Sequence, residues 1–327
     1  MKFSAMTGAG AAASVITAAA ATKGDIVPVP QMKFALITLA IAVIPSLAIW
    51  LNKATRSNAL LYRVAWVGAF IINLITVSIP GRFDGQTTSD NTRADIPWKS
   101  LFEPSGWAFA IWGVIYLSEL LVTLYVGGIG EPVAALTKAV PYWLMGNLFQ
   151  SAWCFAFCPE FRSVLWLPMI LLALGSGSLA LAHNELTFAI NNLSDAFNAG
   201  SKIKLLLLRF PFALHTGWLA AASLLNLNAW ISVSKYSMDQ QITTAFLSAY
   251  LGAAVGAGLS IRSGDPLIAL TVAWALAALS DRTAQKVAEQ PAVISPDTQK
   301  ALSLTEKGLS YLLAAIGAGV AAPTNIF

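Results

Sequence analysis

Residues 203–232 read IKLLLLRFPFALHTGWLAAASLLNLNAWIS. The stretch is thirty residues long and overwhelmingly apolar, and its one strong helix-bending residue is Pro211. About 20 apolar residues suffice for a helix to cross the hydrocarbon of a bilayer. The run therefore predicts a transmembrane helix that tilts or projects beyond the membrane. Continuous apolarity, without period-two alternation, excludes a membrane β-barrel.

Working outward, similar runs lie at 33–52, 60–80, 105–127, 138–158, 163–183, 242–262, 266–281 and 304–322. With 203–232 they make about nine transmembrane helices, so the fold class is an all-α polytopic membrane helix bundle. Composition agrees. Charged residues are 11% of the 327 positions and hydrophobic residues 57%, whereas a soluble domain carries roughly 25% charged residues. The net charge of +4 is scattered singly, so nucleic acid is not a partner. The lipid bilayer is. Basic residues in loop 53–59 predict that this loop faces the cytoplasm-equivalent side and loop 81–103 the opposite one.

Residues 1–30 form an Ala-rich segment without acids until Asp25, read as a targeting segment or a disordered tail. Residues 31–59 would hold an extra N-terminal helix, 60–232 a five-helix core, and 233–327 a three-helix extension. Within the core, 184–202 reads as a short amphipathic helix at the interface, and within the extension 282–303 reads as a polar linker. Cys154 and Cys158, at i, i+4 on one helix, have poor geometry for a mutual disulfide and read as small buried residues. The Gly252–Gly256 pair reads as helix packing or oligomer contact.

Polar residues inside hydrocarbon need a partner or a role. At helical spacing, Phe109, Trp112, Tyr116 and Glu119 share a face. Trp143, Asn147 and Gln150 share another, and Pro211, His215, Trp218 and Asn226 a third. Such residues serve as interfacial anchors and interhelical hydrogen bonds in many bundles. Three neighbouring helices presenting them together also suit a flat apolar ligand held by stacked rings and a few polar anchors. Glu119 could pair with Arg209 across helices as an intramembrane ion pair. His215 could ligate the metal of a porphyrin or chlorophyll, or hydrogen-bond a neighbouring helix. No phosphate loop, dinucleotide fingerprint or hydrolase motif is present, and no catalytic set or metal site can be assembled.

The motif PSGWAFAIWGVIYL (104–117) resembles the P-x-x-W-x-F-x-x-x-W-x-x-[IL]-Y signature of the TspO/translocator-protein family. RFPFALHTGWLAAASLLNLNAW (209–230) is similar to that family's final-helix pattern, and GNLFQSAWCFAF (146–157) more loosely to an intervening helix. The larger tryptophan-rich sensory proteins of bacteria and plastids match still better. The resemblance covers about 60–232. It implies a five-helix bundle that binds porphyrins, sterols or isoquinoline-type compounds under the 81–103 loop. By motif position the lining would be Trp107, Phe109, Trp112, Tyr116, Trp143, Asn147, Phe212, Trp218 and Asn226, with His215 as a further anchor. A porphyrin or chlorophyll-type tetrapyrrole is then the implied bound group, in a plastid or other organelle membrane. This chain departs from the compact pattern at Ser105-Gly106, in PFALHTGW, and in its additional helices.

These readings leave three functions open. The first is a non-enzymatic binder or transporter of a flat hydrophobic ligand, as a homodimer or alone. The second is a structural or assembly subunit of a larger membrane complex, docking through 242–262 and 304–322. The third is an enzyme using Glu119 or His215 as acid–base group.

Overall fold

The computed structural model describes residues 58–84, 96–129, 133–192, 199–289 and 294–321, with Ile37, Val43, Ile44, Leu47 and Trp50 upstream. Eight α-helices run through the described segments: α1 (Ala59–Ser78), α2 (Ile111–Leu124), α3 (Ala134–Ala156), α4 (Trp166–Asn191), α5 (Ala199–Val233), α6 (Met238–Ser263), α7 (Pro266–Glu289) and α8 (Pro296–Ala321). No strand occurs among the described residues. Residues 1–30, read as a targeting segment or a disordered tail, and most of the 33–52 run lie outside them. The five upstream positions are helical, and Ile37 and Ile44 are buried against the core.

Among the described residues, six helices are long and apolar enough to cross a membrane: α1, α2 with its flanking turns, α4, α5, α6 and α7 to Lys286. The three faces most open to lipid belong to α1, α2 and α6, each about one-third buried, whereas α5 is 78% buried. α5 is thus the central helix. It packs along α4 on one side and against α6 and α7 on the other, while α3 bridges α1 and α4. A helix of 35 residues is about 50 Å long, well over the ~30 Å hydrocarbon thickness. The expected projection of this helix follows from that length.

Helix ends follow local chemistry. Asn58 caps α1, its side chain accepting from Leu61 N at 3.0 Å. Ser237 and Gln240 form a reciprocal capping box at the start of α6. Gly264 takes the left-handed conformation (φ +62°) that ends α6, and Pro266 opens α7. This tight turn holds Asp265 inward, 1% exposed.

Two connections differ from the sequence reading. Among the described residues of 184–202 there is no separate interfacial helix. α4 continues to Asn191, because Leu186, Thr187 and Ile190 carry its buried face forward, and α5 begins at Ala199. The 282–303 linker is likewise mostly helix: α7 runs to Glu289 and α8 starts at Pro296. Of its polar residues, Thr283, Gln299 and Ser303 are buried between α7 and α8, a pairing that composition does not show.

Small residues let the extension close on the core. A Cβ on Gly217 of α5 would stand 2.9 Å from Thr271 Cβ and 3.1 Å from Ile268 O of α7. Gly252 and Gly256 face Leu224 and Val272, so the pair packs inside this chain. Gly217→Ala is expected to cost about 1–3 kcal/mol by overpacking the α5–α7 crossing, read as a lowered thermal midpoint in detergent. An unchanged midpoint would mean that the two helices separate freely. Cys154 and Cys158 are both buried and form no disulfide.

A lidded aromatic cavity and its buried ion pairs

The candidate site lies where α1, α2, α3 and α5 converge under segment 96–105. Phe83, just after α1, donates its backbone N–H to Phe157 O at 3.1 Å. Its ring meets Trp98 of the lid edge-on at 5.1 Å and Phe157 at 5.4 Å. Trp153 stacks on Phe157 at 5.1 Å. Opposite them, Phe109 and Trp112 meet Trp218 of α5 edge-on at 5.7 and 6.0 Å. Between these groups is a cavity of about 90 Å³, roofed by Trp98, Ser100, Phe102 and Glu103 and reaching Asn226.

A second chamber of about 370 Å³ adjoins it, lined by Val77, Arg82, Gly106, Tyr116 and Gln150. Asp84, Phe109, Trp112 and Trp153 border both spaces, so side chains alone separate them. Arg82 stands at the chamber edge. Its Nε donates to Asp84 at 2.8 Å, its Nη1 donates to Val77 O at 2.6 Å, and its guanidinium lies 5.6 Å from the Trp153 ring centre. Burial works against the Arg82 charge, but the Asp84 carboxylate outweighs it and holds the guanidinium above its ordinary value.

Three helices meet at the chamber floor. Tyr116 Oη donates to Asn73 Oδ1 at 2.9 Å and accepts from Gln150 Nε2 at 3.0 Å. Asn73 Nδ2 donates to Gln150 Oε1 and to Asn147 O, both at 3.1 Å. Asn73 is fully buried on α1. A single amide in the apolar run 60–80 was the available signal for it. Arg82, Asp84, Trp98 and Trp153 also line the spaces and were not among the site residues read from the sequence.

Of the residues singled out by sequence, Phe109, Trp112, Tyr116, Trp218 and Asn226 border the chambers. Trp143 and Phe212 do not border either one: Trp66 and Trp143 stack at 4.9 Å, Phe212 seals their edges, and Trp143 Nε1 donates to Trp66 O at 3.0 Å. Asn147 sits beside them, its amide donating to Trp143 O. This is a packed layer beneath the floor. Trp107 lies outside, 43% exposed, edge-on to Trp274 of α7 at 4.7 Å.

The expected Glu119–Arg209 pair does not form. Glu119 Oε1 meets His215 Nδ1 at 2.6 Å, both residues being fully buried behind Trp112. Arg209 Nε instead meets Asp265 Oδ2 at 2.9 Å, and His183 Nε2 reaches the same oxygen at 2.8 Å. The reason is the α6–α7 turn, which brings Asp265 to Arg209 from more than fifty residues away. His215 takes the nearer carboxylate on α2.

The extension also secures the lid. Asp281 of α7 accepts from Ser105 Oγ at 2.6 Å and Trp107 Nε1 at 3.0 Å. Ser105 N donates to Ala278 O at 2.9 Å. Lys286 Nζ donates to Glu103 at 2.8 Å and to Ser100 O at 3.0 Å. α7 thereby holds the segment that roofs the cavity, a role its sequence did not suggest.

Apolar helices long enough to cross a bilayer define a multi-pass integral membrane protein. The chain belongs to the TSPO-like protein family, whose model matches residues 59–296. That match passes the end of α5 and takes in α6 and α7. No curated protein and no solved structure matches the chain.

Proposed function

We propose that this protein binds a flat hydrophobic molecule with an acidic edge, of tetrapyrrole type, in the two adjoining chambers. The observation that carries this reading is their shared partition. Phe109, Trp112 and Trp153 line both spaces, and Arg82 lines the larger one. Pockets for small ligands run about 300–1,000 Å³. The 370 Å³ chamber meets the lower end of that range, and a full macrocycle uses both spaces after the partition rotates. Rings stack on indoles, and a ligand carboxylate takes Arg82 in exchange for Asp84. Because α7 ties the lid down, access requires its release. Binding, with carriage through the membrane as its consequence, accounts for the cavity without any reaction step.

Quenching of tryptophan fluorescence by protoporphyrin, with the full chain in detergent, tests this. Saturable quenching is expected. Trp112→Ala combined with Trp218→Ala is expected to weaken it at least tenfold. Arg82→Ala removes a charge-assisted hydrogen bond of about 1.5–3 kcal/mol, so it weakens the free acid about tenfold or more and leaves the porphyrin dimethyl ester unaffected. Undiminished affinity in the double tryptophan variant would sink the proposal.

A further inference from the structure

A polar seam that the cavity does not use runs between α7 and α8. Ser280 and Ser303 donate to each other's backbone carbonyls at 2.9 and 3.0 Å. Gln299 Nε2 donates to Thr283 O at 3.2 Å, and Ser310 Oγ to Ala273 O at 2.8 Å. Glu306 of α8 lies in this seam, 0% exposed. Neither of its carboxyl oxygens has a hydrogen-bond partner, and the buried Thr283 hydroxyl has none either.

The surrounding charges are engaged or distant. On α7, Asp281 holds Ser105 and Trp107, Arg282 reaches Gln285, and Lys286 holds Glu103 of the lid. On α6, Asp239 and Arg262 are exposed in the first and last turns. On α8 itself, Asp297, Lys300 and Lys307 are exposed. A carboxylate sealed among hydroxyls and carbon, with no cation on it, is far less favourable than the neutral acid. Burial pushes the Glu306 carboxyl up to about 8, against the pull of the Lys286 charge.

We propose that Glu306 is a proton-binding site, its carboxyl held as the neutral acid while α7 and α8 are packed. The ligand is the proton, and no part of the inference depends on what fills the aromatic cavity. The folded state binds this proton more tightly than the unfolded chain. The stability tied to it is therefore present below the ordinary carboxylate range and is lost as pH rises toward about 8. Thr283 sits between Asp281 and Lys286, so the site adjoins the anchors of the lid.

Two measurements on the full chain in detergent test the site. The first compares thermal unfolding of wild type and Glu306→Gln between about pH 6 and pH 9. Glutamine mimics the neutral acid, so wild type is expected to lose midpoint with rising pH while the variant holds it. Parallel curves would overturn the proposal. So would a midpoint raised by sodium in wild type alone, which would assign a bound cation. The second needs no variant: dicyclohexylcarbodiimide is expected to label Glu306 near neutral pH and progressively less above about pH 8. Labelling of Glu306 equal across that range would overturn it.

Discussion

Replacing His215 with alanine is expected to lower stability by about 3–5 kcal/mol, the cost of leaving one member of a buried, hydrogen-bonded carboxyl–imidazole pair without the other. Glu119 would remain at 0% exposure with both oxygens unpartnered, since its Oε2 already lacks one. Unfolding in mixed micelles measures the loss. The double variant Glu119→Leu/His215→Leu is expected to regain most of it, because apolar side chains of similar volume suit that site. A double-mutant cycle on Glu119 and His215 should therefore show strong coupling. The Glu119–Arg209 cycle should show none, since those residues have different partners. Equal coupling in both cycles would contradict the pairing seen here.

Asp265→Ala is expected to cost a comparable ~3–5 kcal/mol. One carboxylate oxygen serves both Arg209 and His183, and the other accepts from Leu267 N at 3.0 Å. Removing it leaves the Arg209 guanidinium, 5% exposed, with Thr187 Oγ1 at 3.2 Å but no counter-charge. Asp265→Asn keeps the shape and part of the hydrogen bonding, so it should fall between. Burial alone would raise the Asp265 carboxyl. The His183 hydrogen bond and the Arg209 charge outweigh it and hold the group below its ordinary value. The stability it contributes is then present above the usual carboxylate range and is lost as pH falls through that range. An Asp265→Ala protein with the same acid-side profile as wild type would show that the cluster contributes nothing.

These two pairs mark how far the sequence could be read. Glu119, Arg209 and His215 stood out because ionisable groups inside apolar runs need partners. Which partner each takes depends on helix azimuth and on a turn at Gly264–Asp265 that no local pattern connects with α4 or α5. The aromatic site divides along the same line. Helical spacing placed Phe109, Trp112 and Tyr116 on one face, and they do border the cavity. The same spacing could not tell Trp218, beside open space, from Trp143, stacked on Trp66. Nor could the polarity of 282–303 reveal that Thr283 and Gln299 face each other between helices.

What the amino-acid order settles by itself is the class of molecule. Apolar runs of bilayer length leave helices as the only way to satisfy the backbone, and two tryptophan-rich motifs place the chain in its family. Only the tertiary structure decides which polar groups meet, where space is left between rings, and that α7 holds the lid. Those outcomes depend on contacts between residues far apart in the chain. Hydrophobic periodicity constrains each helix against its surroundings but carries no information on which neighbour it faces.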